Sequence, residues 1–397
     1  MSEIASDTIL RAMSDAYVRS GQPATAQLDV TYRCDLDCQH CYLDDRRTWP
    51  EMTTREWVDV LHQLAAAGVW TVSFSGGEVF QRHDFLELVQ VACGLGFRTS
   101  FRTHGGLLTA AIAQQLAQCG VTSVKMSFYS LRPEVHDAFT RRPGSQEATL
   151  RGIEFLRAAG VRAVVDVVVQ ADTVEEIPAL AAFFAERGVE VNFGTSIYRD
   201  HLARQDLDLL ELTPEQRIRA RELIWRHVDG DPDIHAAVRA DDSKGPCAAG
   251  RHYLYISPDG AVWPCVMFPM QLGHLREHSF ADIWAHSPER AAIVSWTNRD
   301  RTGCHSCAGS NMCFYCPGEA YKNTGDFRKP PPQFHSRTRD LMRGYELARG
   351  VHYTEAEWAS VPEARPRLAP PKRFIFPIYR PQKGRATRTH DVTRDEP

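Results

Sequence analysis

The sequence predicts an α/β fold of six strand–helix units, too few to close a barrel, followed by a small Cys-rich C-terminal domain. Three observations carry that prediction. Between residues 26 and 194 a short β-rich run, a turn and an amphipathic helix of 11 to 15 residues recur six times. Residues 200–246 change to a charged, helical pattern that reads as a bridge. From Cys247 to about residue 345 the composition turns to Cys, Pro, Gly and aromatic residues, as in a small domain stapled by metal.

The six strands are expected at "AQLDVTY" (26–32), "WTVSFS" (70–75), "FRTSFR" (97–102), "VTSVKMSF" (121–128), "VRAVVDVVVQ" (161–170) and "VEVNFG" (189–194). Continuous apolar runs of this kind suit parallel strands covered on both faces. In the first intervening helix Thr53 and Glu56 form a capping box, Trp57, Val60, Leu61 and Leu64 share one face, and Gly68 ends it. Gly120, Gly160 and Gly188 mark later helix ends, and Thr213-Pro214-Glu215-Gln216 opens the bridging helix. Such alternation gives either an incomplete α/β barrel or an open doubly wound sheet.

At 397 residues, 43% hydrophobic and 24% charged, the chain can bury a large core. A net charge of −4 argues neither for nucleic acid nor for a membrane surface as partner. No signal peptide and no bilayer-length apolar run is present in the sequence, so a cytoplasmic location is expected. There the eleven cysteines stay reduced and serve metal or redox chemistry; nine fall in tight groups. Residues 1–25 read as an N-terminal extension. Residues 346–397 read as a helix and a basic Pro-rich tail: eight Lys or Arg, five Pro and no acid lie between Ala364 and His390. That tail is a solvated segment or, through its "FIFPIY", a docking element.

The chemistry concentrates in "CDLDCQHCY". Cys34, Cys38 and Cys41 leave the first strand at its C-terminal end, the face where barrel active sites lie. Soft thiolates select iron-sulfur clusters, Zn or Cu(I), and three of them leave one position of a four-ligand cluster open. An open position is where a metal acts on a ligand; the alternative is a zinc site completed elsewhere. The second strand ends in Gly76, Gly77 and Glu78, where glycines admit close backbone approach and a carboxylate can bind an ammonium group.

Together, "CDLDCQHC" and "GGE" in a βα array resemble the radical S-adenosylmethionine (SAM) family, over roughly residues 26–340. The resemblance implies a partial (βα)6 TIM-type barrel over residues 26–199 and a 4Fe-4S cluster on Cys34, Cys38 and Cys41 whose open iron binds SAM. Glu78 and the Gly76-Gly77 backbone would hold the SAM amino group, and His40 would pack near the adenine. Reductive cleavage would give a 5′-deoxyadenosyl radical that abstracts hydrogen from substrate. Ser127 falls where the family contacts the ribose, or is a strand serine satisfied by backbone. Where the family often has Thr-Asn-Gly, this chain has Thr103-His104-Gly105; His104 contacts SAM or substrate, or is a hydrogen-bonded loop histidine.

"CHSCAGSNMCFYC" gives two CxxC pairs five residues apart, too close for the knuckles of one zinc ribbon. Upstream, Cys247, Gly260 and Cys265 stand as C-x12-G-x4-C, with "SPDG" as a hairpin turn. With "GHLREHSFADIW" these resemble the SPASM auxiliary-cluster domain of radical SAM enzymes, at residues 247–345. Two departures stand out. The second pair is CxxC instead of CxxxC, and the usual seventh cysteine is absent, with His335 at about its place. Cys304, Cys307, Cys313 and His335 are expected to bind one auxiliary 4Fe-4S cluster, and Cys247, Cys265 and Cys316 the other; alternatively His335 is a surface histidine. Cys93 and Cys119 read as core packing.

By resemblance the enzyme is a radical SAM oxidoreductase that installs a cross-link or other oxidative modification in a ribosomally made peptide. The expected partners are a peptide substrate with a leader, an electron donor such as flavodoxin or ferredoxin, and a separate leader-binding protein, since about 25 residues before the first strand are too few for a leader-binding module. The alternative is a radical SAM dehydrogenase of a small molecule, such as a sugar or antibiotic precursor, or of a protein side chain. Side-chain maturases commonly carry an Asp after the second SPASM cysteine, where this chain has Val266. A non-catalytic electron carrier or zinc-stabilised scaffold is the reading from another class.

Overall fold

The computed structural model describes residues 16–17, 19–43, 50–197, 210–228, 245–301, 304 and 306–362. The basic tail with its "FIFPIY", the N-terminal fifteen residues and most of the bridge lie outside the described residues.

Six parallel strands stand side by side in chain order: β1 (Thr25–Thr31), β2 (Thr71–Gly76), β3 (Arg98–Thr103), β4 (Ser123–Phe128), β5 (Ala163–Val168) and β6 (Glu190–Gly194). Alternation decides which way each side chain points. Ala26, Leu28, Val30, Val72, Phe74, Phe101, Val124 and Met126 are fully buried in one core with the covering helices. Their neighbours Gln27, Asp29, Ser73, Ser100, Arg102, Lys125, Ser127, Asp166 and Asn192 therefore face the other way, across the inside of a partial barrel.

The helices α1 (Thr54–Ala66), α2 (Phe85–Gly94) and α3 (Ala110–Cys119) follow β1, β2 and β3. In α1 the Thr53–Glu56 capping box forms, Trp57, Val60, Leu61 and Leu64 are the buried face, and Gly68 has φ +82° just beyond the end. One departure follows β4, where two helices, α4 (Pro133–Thr140) and α5 (Ser145–Ala158), replace the single one expected. Arg141 at φ 56° and Gly144 at φ 78° flank Pro143 and break the helical run there. After β5 comes α6 (Ile177–Ala185), and α7 (Pro214–His227) begins at the Thr213–Gln216 capping box.

The sheet continues across residue 247. Strand β7 (Tyr253–Ile256) pairs parallel with the outer edge of β1, and β8 (Ala261–Trp263) and β9 (Gly273–His274) extend it antiparallel. The "SPDG" turn joins β7 and β8, with Gly260 at φ +98° donating its N–H to Ser257 O at 2.9 Å. The apolar "YLYI" thus covers an edge of β1 that would otherwise stay unpaired. Beyond it lie α8 (Phe280–His286), α9 (Pro288–Ser295), α10 (Pro317–Thr324), α11 (Pro332–Arg349) and α12 (Glu355–Ser360). Helix α11 packs along α7, where Gly344 faces Ile218 O and an Arg217–Asp340 ion pair of 2.7 Å locks the contact.

Candidate metal and cofactor site

The three-cysteine loop leaves β1 and folds onto the end of α4. Asp37 N and Gln39 N donate to Thr140 O and Phe139 O at 3.3 and 3.0 Å, and Arg142 donates to Asp35 O at 3.1 Å. All three thiols are half-exposed. Burial, and then the neighbouring Cys41 and Cys34 thiols, push the Cys38 thiol up to about 12. A thiol held protonated in this way binds a cationic centre with release of its proton, as metal thiolates do.

The glycines at the end of β2 also have a packing reason that the sequence did not announce. A Cβ on Gly76 would fall 2.0 Å from Thr31 O, and one on Gly77 2.3 Å from Arg33 O. Gly77 N and Glu78 N each donate at 2.8 Å to those same carbonyls. The close approach is thus to the start of the cysteine loop, and it locks that loop to β2.

Glu78 is fully buried. Its carboxylate accepts from Thr103 Oγ1 at 2.8 Å, His104 N at 3.0 Å and Phe80 N at 3.2 Å. His104 Nε2 lies 3.1 Å from Glu78 and 3.0 Å from Asp35, bridging the two carboxylates. Burial lowers the proton affinity of this imidazole, but the Glu78 and Asp35 carboxylates outweigh it and leave the pKa raised. Gly106 N donates to Nδ1 at 3.0 Å, which assigns the neutral tautomer with its proton on Nε2. His104 in turn holds Asp35 down at about 2. Cys34, Asp35 and His104 bring their ligand atoms within 4.8 Å of one another.

His40, between Cys38 and Cys41, packs its ring against Phe139 and Tyr129 at centroid distances of 5.0 and 5.5 Å. Burial drops its pKa to about 4, so it is neutral, and its buried Nδ1 has no hydrogen-bond partner among the described residues. Ser127 and Cys38 both lie beside the buried Tyr129 side chain. The structure therefore brings Cys34, Cys38, Cys41, His40, Gly76, Gly77, Glu78, His104 and Ser127 to one end of the barrel. Asp35 and Tyr129 join them unforeseen: Asp35 stood inside the quoted motif, but Tyr129 carried no spacing signal.

The six C-terminal cysteines divide into two groups. Cys247, Cys265 and Cys316 interact with one another in a buried cluster around Phe268 and Tyr315. Burial first, then the neighbouring Cys247 and Cys316 thiols, pushes Cys265 up to about 12, and burial, then the Glu319 carboxylate and Cys247, pushes Cys316 to about 11. Cys304, Cys307 and Cys313 line a separate cavity with His335. Cys93 and Cys119 pack against the main core, as expected.

The Radical SAM superfamily model matches residues 28–184, and the SPASM model, an iron-sulfur cluster-binding domain, matches residues 247–308. The chain thus carries a radical SAM domain followed by a SPASM domain. It is 28% identical over 339 residues to an AdoMet-dependent heme synthase of Methanosarcina barkeri, covering 78% of this chain and 95% of that one. It is 28% identical over 324 residues to a PqqA peptide cyclase of Granulibacter bethesdensis, covering 75% and 83%. Its fold resembles that of Streptococcus suis SuiB bound to precursor peptide SuiA, with TM-score 0.60, 18% identity and coverage of 80% and 78%.

As a radical SAM protein with a SPASM domain, it uses 4Fe-4S clusters and SAM, and its donor set fits them: thiol triads of the softness iron-sulfur clusters take, beside an orphaned buried imidazole nitrogen. The barrel interior holds a further polar set that sequence reading missed. Asp29, fully buried, accepts from Tyr255 at 3.0 Å, Tyr42 at 3.2 Å and Gln27 at 3.2 Å, and burial raises its pKa against those bonds. Arg102 and Lys125 face each other across β3 and β4. Arg102 donates to Ser73 Oγ at 3.3 Å, and Lys125 has no ion-pair partner among the described residues. The period of two along each strand was the available signal for this set. Among the described residues, no helix is long and apolar enough to cross a membrane.

Proposed function

We propose that this protein cleaves SAM reductively and abstracts a hydrogen atom from a ribosomally made peptide, leaving a cross-link or another oxidative modification. The observation that carries this reading is the meeting of the Cys34–Cys38–Cys41 loop with buried Glu78 above a polar barrel interior. Similarity to PqqA peptide cyclases over 75% and 67% of this chain supports the peptide as substrate class.

Cys34, Cys38 and Cys41 hold the SAM-binding cluster, and the bound cluster and SAM supply the electron and the hydrogen-abstracting radical. Glu78 receives the SAM ammonium beside the Gly76-Gly77 backbone. His104 Nε2, between the Glu78 and Asp35 carboxylates, holds Glu78 in position. His40 lies beside the adenine, with its neutral ring and unpartnered Nδ1 as an apolar wall and one hydrogen-bonding point. Ser127 is the ribose contact, held in place through Tyr129. Arg102 and Lys125 supply the charge inside the barrel that orients a polar or acidic part of the substrate. A flavodoxin or ferredoxin delivers the electron, and a separate protein presents the leader.

A second reading is a small-molecule substrate, favoured by the similarity to AdoMet-dependent heme synthases. The two part in one assay. Reconstituted enzyme, SAM and reductant are incubated with short peptides encoded beside its gene, or with an iron porphyrin carrying propionate side chains. The peptide reading expects 5′-deoxyadenosine together with a peptide lighter by a lost hydrogen pair. Product from the porphyrin alone overturns it.

A further inference from the structure

The second C-terminal cysteine triad has an imidazole in its wall. Cys304, Cys307 and Cys313 are wound by successive turns, with Cys307 N donating to Cys304 O at 3.3 Å, Ser310 N to Cys307 O at 3.0 Å and Cys313 N to Gly309 O at 3.0 Å. These turns bring the three residues round one cavity, and the first turn of α11 closes it with His335. The seating is close. A Cβ at Gly309 would lie 2.4 Å from Thr338 Cγ2, so only glycine lets the cysteine loop rest directly on α11. Phe334, stacked edge-on to Tyr315 at 5.5 Å, fixes the start of the helix, and Thr338 Oγ1 bonds back to Phe334 O at 2.8 Å. His335 forms no hydrogen bond or ion pair with any described residue, so no other structural duty holds its ring there.

The spacing speaks for a cluster and against one ion. Among the described residues, donor atoms are drawn within 4.8 Å of one another only at Cys34, Asp35 and His104. Cys304, Cys307, Cys313 and His335 surround a wider space, as do Cys34, Cys38 and Cys41, and tetrahedral zinc requires closer donors than that. Cys316 is committed elsewhere: it caps α10, accepting from Glu319 N at 3.4 Å, and keeps company with Cys247 and Cys265.

We propose that His335 is the fourth ligand of the auxiliary 4Fe-4S cluster held by Cys304, Cys307 and Cys313. A neutral imidazole in place of an anionic thiolate raises the reduction potential of the cluster. Arg301, donating to Cys304 Sγ at 3.4 Å, works in the same direction.

The test uses the full-length chain with Cys34, Cys38 and Cys41 replaced by Ala, reconstituted anaerobically so that only auxiliary clusters remain. Pulsed EPR of the reduced protein, with isotope-labelled histidine, reads directly bound nitrogen; a redox titration reads the potential. The expected result is a strong nitrogen coupling that disappears in His335→Ala and in His335→Cys. His335→Cys keeps its iron and titrates at a more negative potential. Absence of the coupling in the parent, an unchanged potential in His335→Cys, or zinc in place of iron at this centre overturns the proposal. Neither SAM cleavage nor substrate enters the measurement, so its outcome is separate from that of the peptide reading.

Discussion

The glycines after β2 are dictated by β1. Any side chain at Gly76 meets the Thr31 carbonyl, and at φ +140° the backbone there already suits glycine alone. Gly76→Ala is therefore expected to destabilise the protein by about 2 kcal/mol or more, the scale of forced overpacking, seen as a lower denaturant midpoint. Gly94→Ala is the control, because a Cβ there meets nothing within 4 Å. Residues close in the chain were legible in this way: the cysteine spacing and the "GGE" run announce themselves because one loop and one strand end deliver them. The Asp35–His104–Glu78 bridge was not, since its members come from three different strand ends and only the parallel register brings them together.

Among the elements, local signals predicted well wherever local chemistry decides. Both capping boxes, at Thr53–Glu56 and Thr213–Gln216, form as read, because an N-cap bond depends on four consecutive residues. The split of α4 from α5 was missed: Arg141 takes the left-handed conformation that a glycine usually signals. Helix α1 also reaches the C-terminal region, through Arg276 on Glu56 at 2.8 Å. Arg276, against a smaller cost of burial, holds the Glu56 carboxyl down at about 2. A depressed carboxylate stabilises the folded state above its unfolded pKa of about 4.3, and that stabilisation is lost as pH falls through the folded value. Arg276→Ala should thus be less stable than the parent at neutral pH, by no more than about 1 kcal/mol for so exposed a pair. The difference should close in urea titrations as pH falls from 5 toward 2. A gap that persists unchanged at the acid end would contradict this account of the pair.

At the scale of the molecule, the cluster-binding region is built onto the barrel and does not hang beside it. Strand β7 lies against β1, whose end carries Cys34, so Tyr253 and Tyr255 enter the same interior as Gln27 and Asp29, at 2.7 and 3.0 Å. The composition change at Cys247 was visible in the sequence, but the pairing of "YLYI" with a strand more than two hundred residues earlier was not, because register across such a separation leaves no local trace. This arrangement brings Cys247 and Cys265, beside Tyr253, next to the polar interior that the Cys34–Cys38–Cys41 loop overlooks, and the central claim is that the open-ended triad there is the SAM-cleaving centre. The most direct measurement is 5′-deoxyadenosine release by the anaerobically reconstituted, reduced protein, set against Cys38→Ala and Glu78→Gln. The account predicts release by the parent and none by Cys38→Ala, which keeps its auxiliary iron. Glu78→Gln should lose at least tenfold in apparent SAM affinity, as expected when a buried charged hydrogen-bond partner is removed. Undiminished release by Cys38→Ala, or none by the fully loaded parent, would contradict it.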